Sequence, residues 1–456
     1  MRGLITALLA LALWAPSACD SGKGSNPDPD VAVTNTAPSF VAGWTARPTL
    51  RQGTELMLTD FTLQDAEGDT FELTVSADKA GLEGQLSADG LTLELRADYE
   101  VVGLVKVTLS IQDVRGATSM AQYDVQVQPI EWLASETWGG AGPEAREHGS
   151  LIYDETGDRV LLFAGSGYSP YLEPLGDLWE YDLSNRTWAE ITPTGNGSSI
   201  GGSQRVAQIP GQRVAYLFGG YGDGGSAFGE LYRLDYSAGD VEFTHLTQVN
   251  PPGARALHGF VYDPGLDRFV LFGGIDEFNA IKNDTWVMTV TGDTATWELQ
   301  SPVESPTPRY GFFYGFDPVA GRLIVYSGAQ GTASVNPATD TWILDARAEP
   351  VAWTLVAEGE AQGVPPGRRN GCMVLDDVLT RLYVFGGTPD AQNSAPGLYV
   401  FDARPGHEQW SLLERSGEPP LRSSGFGYYD RGTEQVVMGF GNTTTAVFAD
   451  FHFLGY

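Results

Sequence analysis

Between Gly259 and Leu299 short apolar runs alternate with turn residues. GFVYD, RFVLFGG, DTWVMTV and TWEL are separated by Pro-Gly, a polar loop and Gly-Asp. Runs rich in Val, Phe, Trp and Tyr, bounded by Gly, Pro, Asn and Asp, predict strands. The stretch therefore predicts one four-stranded antiparallel sheet, with strands a to d in chain order. Such a sheet cannot bury both faces alone, so it also predicts neighbours of the same kind.

The end of strand b recurs at Gly165, Gly220, Gly274, Gly328, Gly387 and Gly441, at intervals of 54–59 residues. A strand d aromatic follows at Trp188, Phe243, Trp297, Trp353 and Trp410. A fixed period with four strands per unit predicts a propeller. The sixth unit runs out before its strand d. Trp132 lies about as far before Gly165 as the other aromatics lie before the next glycine. Ile130-Glu131-Trp132-Leu133 is therefore expected to supply that strand and to remove an open sheet edge.

The hydrophobic run ending in Gly-Gly, an aromatic-Tyr-Asp such as Trp179-Glu180-Tyr181-Asp182 and a following Trp resemble the Kelch repeat over residues 129–456. Ala164, Ser327 and Phe440 depart from the glycine pair, and Phe243 from the Trp. The resemblance implies an all-β chain with a six-bladed Kelch-type β-propeller, closed by an N-terminal outer strand.

Residues 38–128 carry a different texture. FELTVSA, LTLELRA, LVKVTLSIQD and AQYDVQVQ alternate in and out, which predicts a small β-sandwich. Asn35-Thr36-Ala37-Pro38 and Asp65-Ala66-Glu67-Gly68-Asp69 resemble the linker and acidic turn of bacterial cadherin-like and immunoglobulin-like domains. Asp65, Glu67, Asp69, Glu100 and Asp113 are hard oxygen ligands, which would suit Ca2+. Ahead of them, residues 1–18 read as a signal peptide with Arg2 before an apolar core too short to span a bilayer. Pro16-Ser17-Ala18-Cys19 resembles a bacterial lipobox, which implies lipid on Cys19 and a place in the cell envelope, on the periplasmic face or the cell surface. Residues 19–37, rich in Gly, Ser, Pro, Asn and Asp, read as a flexible tether.

Charge changes the picture in one respect. The net charge of −31 argues against nucleic acid, whose phosphates need a basic surface. Cys372, in the apolar run CMVL, reads as a buried small hydrophobe. Arginines nevertheless recur before strand a: Arg146, Arg255, Arg309, Arg368-Arg369 and Arg422. Together with Arg369 they either line the mouth and take a carboxylate by paired hydrogen bonds or bond loop carbonyls as part of the frame. Polar residues follow them at His148, His258, Tyr310, Asn370 and Ser424 and are expected to line the channel. The loops between strands b and c vary most, and Tyr168, Tyr171, Tyr221 and Phe278 are candidate contacts there. The expected function is a membrane-tethered extracytoplasmic module binding protein or glycan through this loop face. The alternative is a Kelch-fold enzyme acting on a sugar or sugar acid, with Arg146, Glu147 and His148 at its mouth. No nucleophile motif or phosphate loop stands out, and a copper-radical site, with two His, two Tyr and a cross-linked Cys, finds no counterpart.

Overall fold

The structure is a computed structural model. It describes residues 6–8, 35–42, 47–59, 62–86, 92–138, 140–167, 174–195, 201–222, 225–332, 337–390 and 393–456. Cys19, residues 20–34 of the tether, Tyr168, Tyr171 and all of the leader but Thr6–Leu8 lie outside the described residues. Among the described residues no helix is long and apolar enough to cross a membrane. The chain divides into two compact units, Met1–Ile130 with Tyr456 and Glu131–Gly455.

In the first unit, Phe71–Ala77, Gly103–Asp113 and Thr118–Gln128 form an antiparallel sheet, with Thr49–Arg51 added parallel to the last. Leu93–Ala97 pairs with Glu55–Leu58 and Leu82–Leu86 in a second sheet. Alternate residues of both sheets, among them Leu93, Leu95, Val107, Leu109 and Ile111, are fully buried in one core. The period-two pattern of the sequence is thus the in-and-out alternation of the pleat.

Among the described residues the second unit holds six sheets built on four antiparallel strands, numbered here in chain order by their first strands; the second also carries Thr194–Gly195, and the third Thr247–Val249 and Arg255–Ala256. The first strands are Ser150–Asp154, Arg205–Ile209, Gly259–Asp263, Phe313–Asp317, Cys372–Asp376 and Phe426–Asp430. The six first strands neighbour one another in a closed cycle. The sixth sheet is completed by Glu131–Thr137, antiparallel to Asp450–Gly455. That strand begins one residue later than expected, because Ile130 turns into the first unit, where its N–H donates to Gln52 Oε1.

Trp132 faces Leu454, as Trp188 faces Tyr181, Trp297 faces Met288, Trp353 faces Leu344 and Trp410 faces Phe401. Each ring reaches the preceding sheet. Trp297 lies 4.9 Å from Phe218, Trp353 4.6 Å from Phe272, Trp410 4.6 Å from Tyr326 and Trp132 5.8 Å from Phe385. Aromatics are well suited to this seam because they bury the largest area per side chain. The contact behind Trp188 differs. The sixth sheet has Gly439 where the other five have an aromatic, and Trp138 fills the space, 5.2 Å from Trp188 and 5.5 Å from Phe440.

Candidate functional site

Just before its first strand, each sheet of the second unit has one residue in the left-handed region. These are His148, Ser203, Leu257, Gly311, Asn370 and Ser424, with φ between 50° and 61°. Backbone hydrogen bonds link them from sheet to sheet. Ser203 N–H donates to His148 O at 3.1 Å, His148 N–H to Ser424 O at 3.1 Å, Ser424 N–H to Asn370 O, Asn370 N–H to Gly311 O at 2.8 Å, and Gly311 N–H to Leu257 O at 2.9 Å. They form a collar at the axis. Left-handed backbone costs a non-glycine residue about 1–2 kcal/mol, so the collar persists because its neighbours over-determine it. The strand b glycines make this close approach feasible. A Cβ on Gly274 would stand 2.8 Å from Ala256 O, and one on Gly220 2.7 Å from Gly202 O.

The collar corrects the expected channel lining. Leu257 and Gly311, not His258 and Tyr310, are the counterparts of His148. His258 is wholly buried with neither ring nitrogen hydrogen-bonded. Burial, then the nearby Arg205 and Arg255, hold it neutral, well below the usual imidazole range. His148 does reach the lumen, where its Nε2 lies 3.0 Å from Ser424 Oγ. Burial, Arg205 and Arg369 push its pKa down to about 3.

The arginines two residues before the collar are also corrected. Arg146, Arg255, Arg309 and Arg422 are at most 2% exposed. With both terminal nitrogens, each grips a carboxylate two residues ahead of a Trp or His of its own strand c. The partners are Asp177 (2.6 and 2.7 Å), Asp284 (2.7 and 2.9 Å), Asp340 (2.6 and 2.9 Å) and Asp450 (2.5 and 3.0 Å). Nη1 also donates to the strand b carbonyl of Ala164, Gly273, Ser327 or Phe440, so these guanidiniums hold the frame. Trp179, Trp286 and Trp342 each donate Nε1–H to the same carboxylates. The fifth member is Arg368, not Arg369. It has Gly397 where the others have Asp, and bonds the carbonyls of Pro366, Gly386 and Pro396 while lying over the Tyr399 ring. The second sheet has Gly201 in place of the arginine.

Arg369 is thereby free of the frame and stands at the mouth, its Nη1 donating to Tyr310 Oη at 2.8 Å. The mouth has two unlike halves. Ala256, Leu257, Ile275, Tyr310 and Ala329 form an apolar cluster with Tyr221 against it. The remaining sheets present Glu147, Ser423, Asn442 and Arg369, where Ser423 Oγ–H donates to Asn442 Oδ1 at 2.6 Å. Glu147 is buried, and burial raises its carboxyl pKa. Below the collar lies a cavity of about 130 Å3 whose lining includes His148, Arg205, Tyr314, Asn370, Met373 and Ser424. It shares Leu151, Met373 and Gly427 with a wider cavity of about 360 Å3 that reaches Glu155, Asp377 and Arg431.

On the same loop face, the third sheet raises a hairpin from Arg268–Asp276 into Ile281–Thr291. Asp276 Oδ1 accepts the N–H groups of Phe278 and Ala280, and its carboxylate meets Lys282 Nζ at 2.6 Å. This braced tip carries Phe278 at 81% exposure.

In the first unit the acidic turn is partly gathered. Asp65 Oδ1 accepts the N–H groups of Glu67 and Asp69, and Thr36 Oγ1–H donates to Glu67 Oε1. Asp113 Oδ1 accepts from Arg115 N, Ala117 N and Asn35 Nδ2. Asn35 Oδ1, Asp65 Oδ2 and Asp113 Oδ2 are buried without a hydrogen bond, while Asp69 Oδ2 meets Arg115 Nε at 3.2 Å. Glu100 does not join them. It precedes Gly103–Asp113, whereas the cluster sits at the far end of that strand. Among the described residues no three carboxylate, imidazole or thiol groups are gathered into a metal site. The orphaned oxygens thus suit a hard cation in kind, though not yet in number.

Residues 266–455 match the KLHDC2/KLHL20/DRC7 Kelch-repeats domain. Adagio-like protein 1 of Oryza sativa subsp. japonica is 26% identical over 316 residues, 66% of this chain and 48% of that protein. The leucine-zipper-like transcriptional regulator 1 homolog of Drosophila melanogaster is 27% identical over 286 residues, 60% of this chain and 27% of its own length. The chain spans about half the length of the Adagio relatives it matches. The solved structure of YjhT superposes with a TM-score of 0.51 at 14% identity, covering 68% of this chain and 95% of that one. What these likenesses share is the fold: the chain is all-β, its second unit is similar in fold to YjhT, and residues 266–455 match a Kelch-repeats model.

Proposed function

We propose that the chain is a tethered binding module: a six-bladed Kelch propeller, closed by Glu131–Thr137, that captures a protein partner with its loop face. A preceding β-sandwich and a lipid on Cys19 would hold it at a bacterial envelope membrane. The observation that carries the binding reading is Phe278. It is a large apolar ring, 81% exposed, on a hairpin tip whose backbone is braced by Asp276 and Lys282. Rigid aromatic anchors of this kind dominate interface energetics. Kelch domains commonly mediate protein association, and glycan remains the second class of ligand for the same face. The enzyme alternative loses Arg146 to Asp177. The test is an array of envelope proteins and glycans probed with wild type and Phe278→Ser. A partner that binds wild type and loses at least tenfold affinity in the variant supports the reading. Partners that bind both equally remove the hairpin from it.

A second reading concerns the first unit. Asn35 Oδ1, Asp65 Oδ2 and Asp113 Oδ2 are buried acceptors without donors, a costly state that a cation relieves. Ca2+ on these oxygens, with Glu67 and Asp69 beside them, would raise the melting temperature of the first unit. A ligand confined to the native state contributes about 2.7 kcal/mol at a hundredfold excess over its Kd. Identical melts in Ca2+ and in chelator, or an unchanged response in Asp113→Asn, would overturn it.

A further inference from the structure

We propose that the lumen beneath the collar is an anion site, with Arg205 as its receptor, and that its ligand is a short organic carboxylate. The proposal is independent of the loop face and does not rest on partner binding there. It starts from an imbalance of charge. The chain carries −31 overall, and arginines in the propeller are habitually matched to acids, as in Arg146–Asp177, Arg347–Asp263 and Arg381–Asp402. Arg205 is not. Its Nε–H donates to the His258 carbonyl at 3.0 Å, and its guanidinium lies 5.9 Å from the centre of the Tyr314 ring. Among the described residues no carboxylate takes its terminal nitrogens, and Arg205 lines the lumen.

The other polar groups of the cavity lining do not supply the missing charge. Its lining includes Arg205 as its one charged side chain, beside His148, Tyr314, Asn370 and Ser424, and contains no Asp or Glu. Packing keeps His148 uncharged and Tyr314 protonated, so the phenol is a donor. Arg205 is half-buried, and its planar fork, open to the cavity, matches a carboxylate bidentately. The volume fits. About 130 Å3 is several times the roughly 10–15 Å3 that one water needs. A small acid therefore enters with room for a few waters. Leu151, Val206 and Met373 supply apolar wall for a short alkyl tail. Arg369, at the mouth above, adds a second positive charge on the entry side, whereas at the wider cavity the acids Glu155 and Asp377 are paired with Arg431.

The experiment is calorimetric titration of the full chain with acetate, butyrate and inorganic phosphate, in a buffer free of other oxyanions. Saturable one-to-one binding of acetate and butyrate is expected, tighter for butyrate. Arg205→Gln should weaken it at least tenfold, and Tyr314→Phe about threefold. No binding of either acid by wild type, or equal binding by Arg205→Gln, overturns the site. Phosphate binding tighter than butyrate overturns the carboxylate assignment. Should Arg205→Gln fail to fold, bromobutyrate soaked into wild-type crystals decides. An anomalous peak beside Arg205 supports the site, and density elsewhere or none overturns it.

Discussion

The first and third sheets of the propeller close their strand b to strand c corner with an arginine clamped on an aspartate, whereas the second and fifth do not. In the fifth, Arg368 survives but Gly397 has replaced the acid, and carbonyls and the Tyr399 ring take the guanidinium. In the second, Gly201 has replaced the arginine, and Glu230, where the acid would be, meets His245 instead. All six sheets still place their collar residue in the same backbone conformation. The clamp is therefore one local solution to burying the corner, while the collar is common to every sheet. The unclamped sheets are also those that contribute Arg205 and Arg369 to the axis.

The largest effect should come from orphaning a clamp. Asp340→Ala leaves Arg309 buried and unpaired, and urea unfolding should report a loss of about 3–5 kcal/mol. A loss below about 1 kcal/mol would mean that the clamp is ornamental. Next come the seam aromatics. Trp297→Ala, at a site 2% exposed, should cost about 3–5 kcal/mol. Trp132→Ala, less buried, should fall below that range, at about 2–3 kcal/mol. An unchanged stability would show that the closing strand is not held by its ring. Arg368→Met should cost less than Asp340→Ala, about 1–2 kcal/mol, because it strands no opposite charge. Equal losses would erase the distinction between the two kinds of sheet.

The smallest effect is a pH dependence with two windows. His148 has a folded pKa of about 3, below its ordinary 6.5, so the native state binds fewer protons than the unfolded chain. The stability linked to His148 is present above pH 6.5 and declines as pH falls towards 3. Asp177, Asp284 and Asp450 are held below 3.8. Burial opposes this, but the arginine of each clamp outweighs it, with His452 also bonded to Asp450. Their contribution is intact above 3.8 and is lost below it. His148→Gln should flatten the midpoint-versus-pH curve between 6.5 and 4 while leaving the steeper fall below. Superimposable curves would count against a neutral His148.

The repeat and its closing strand were legible because both rest on spacing. The period of the glycines and the distance from Trp132 to Gly165 survive substitution of individual residues. The roles of the polar side chains were less so. Carrying the glycine intervals forward from His148 gives Ser203, Leu257, Gly311, Asn370 and Ser424. A search for polar residues alone lands instead on His258 and Tyr310, each one step out of register. A clamp was equally hard to see, since Arg146 and Asp177 stand 31 residues apart and meet only when strands a and c flank strand b. The recurrence of Asp two residues before Trp179, Trp286 and Trp342 was the available signal. Glu100 was placed in the acidic cluster by composition, and the length of one strand takes it to the other end. That Arg205 meets no acid among the described residues is a property of packing and leaves no mark in the chain.

The pairing of Glu131–Thr137 with Asp450–Gly455 also fixes an order of events during synthesis. The first of these strands leaves the ribosome roughly three hundred residues before its partner, an interval of about 15–60 s at ordinary elongation rates. Through that time five sheets can assemble in sequence while the sixth has only one strand, edge exposed. The entropy of joining ends so distant is modest, since each doubling of a loop adds only about 0.6 kcal/mol. The hazard is kinetic: a chain released early keeps an unpaired strand edge at both ends of an open arc, and another such arc is its nearest substitute partner.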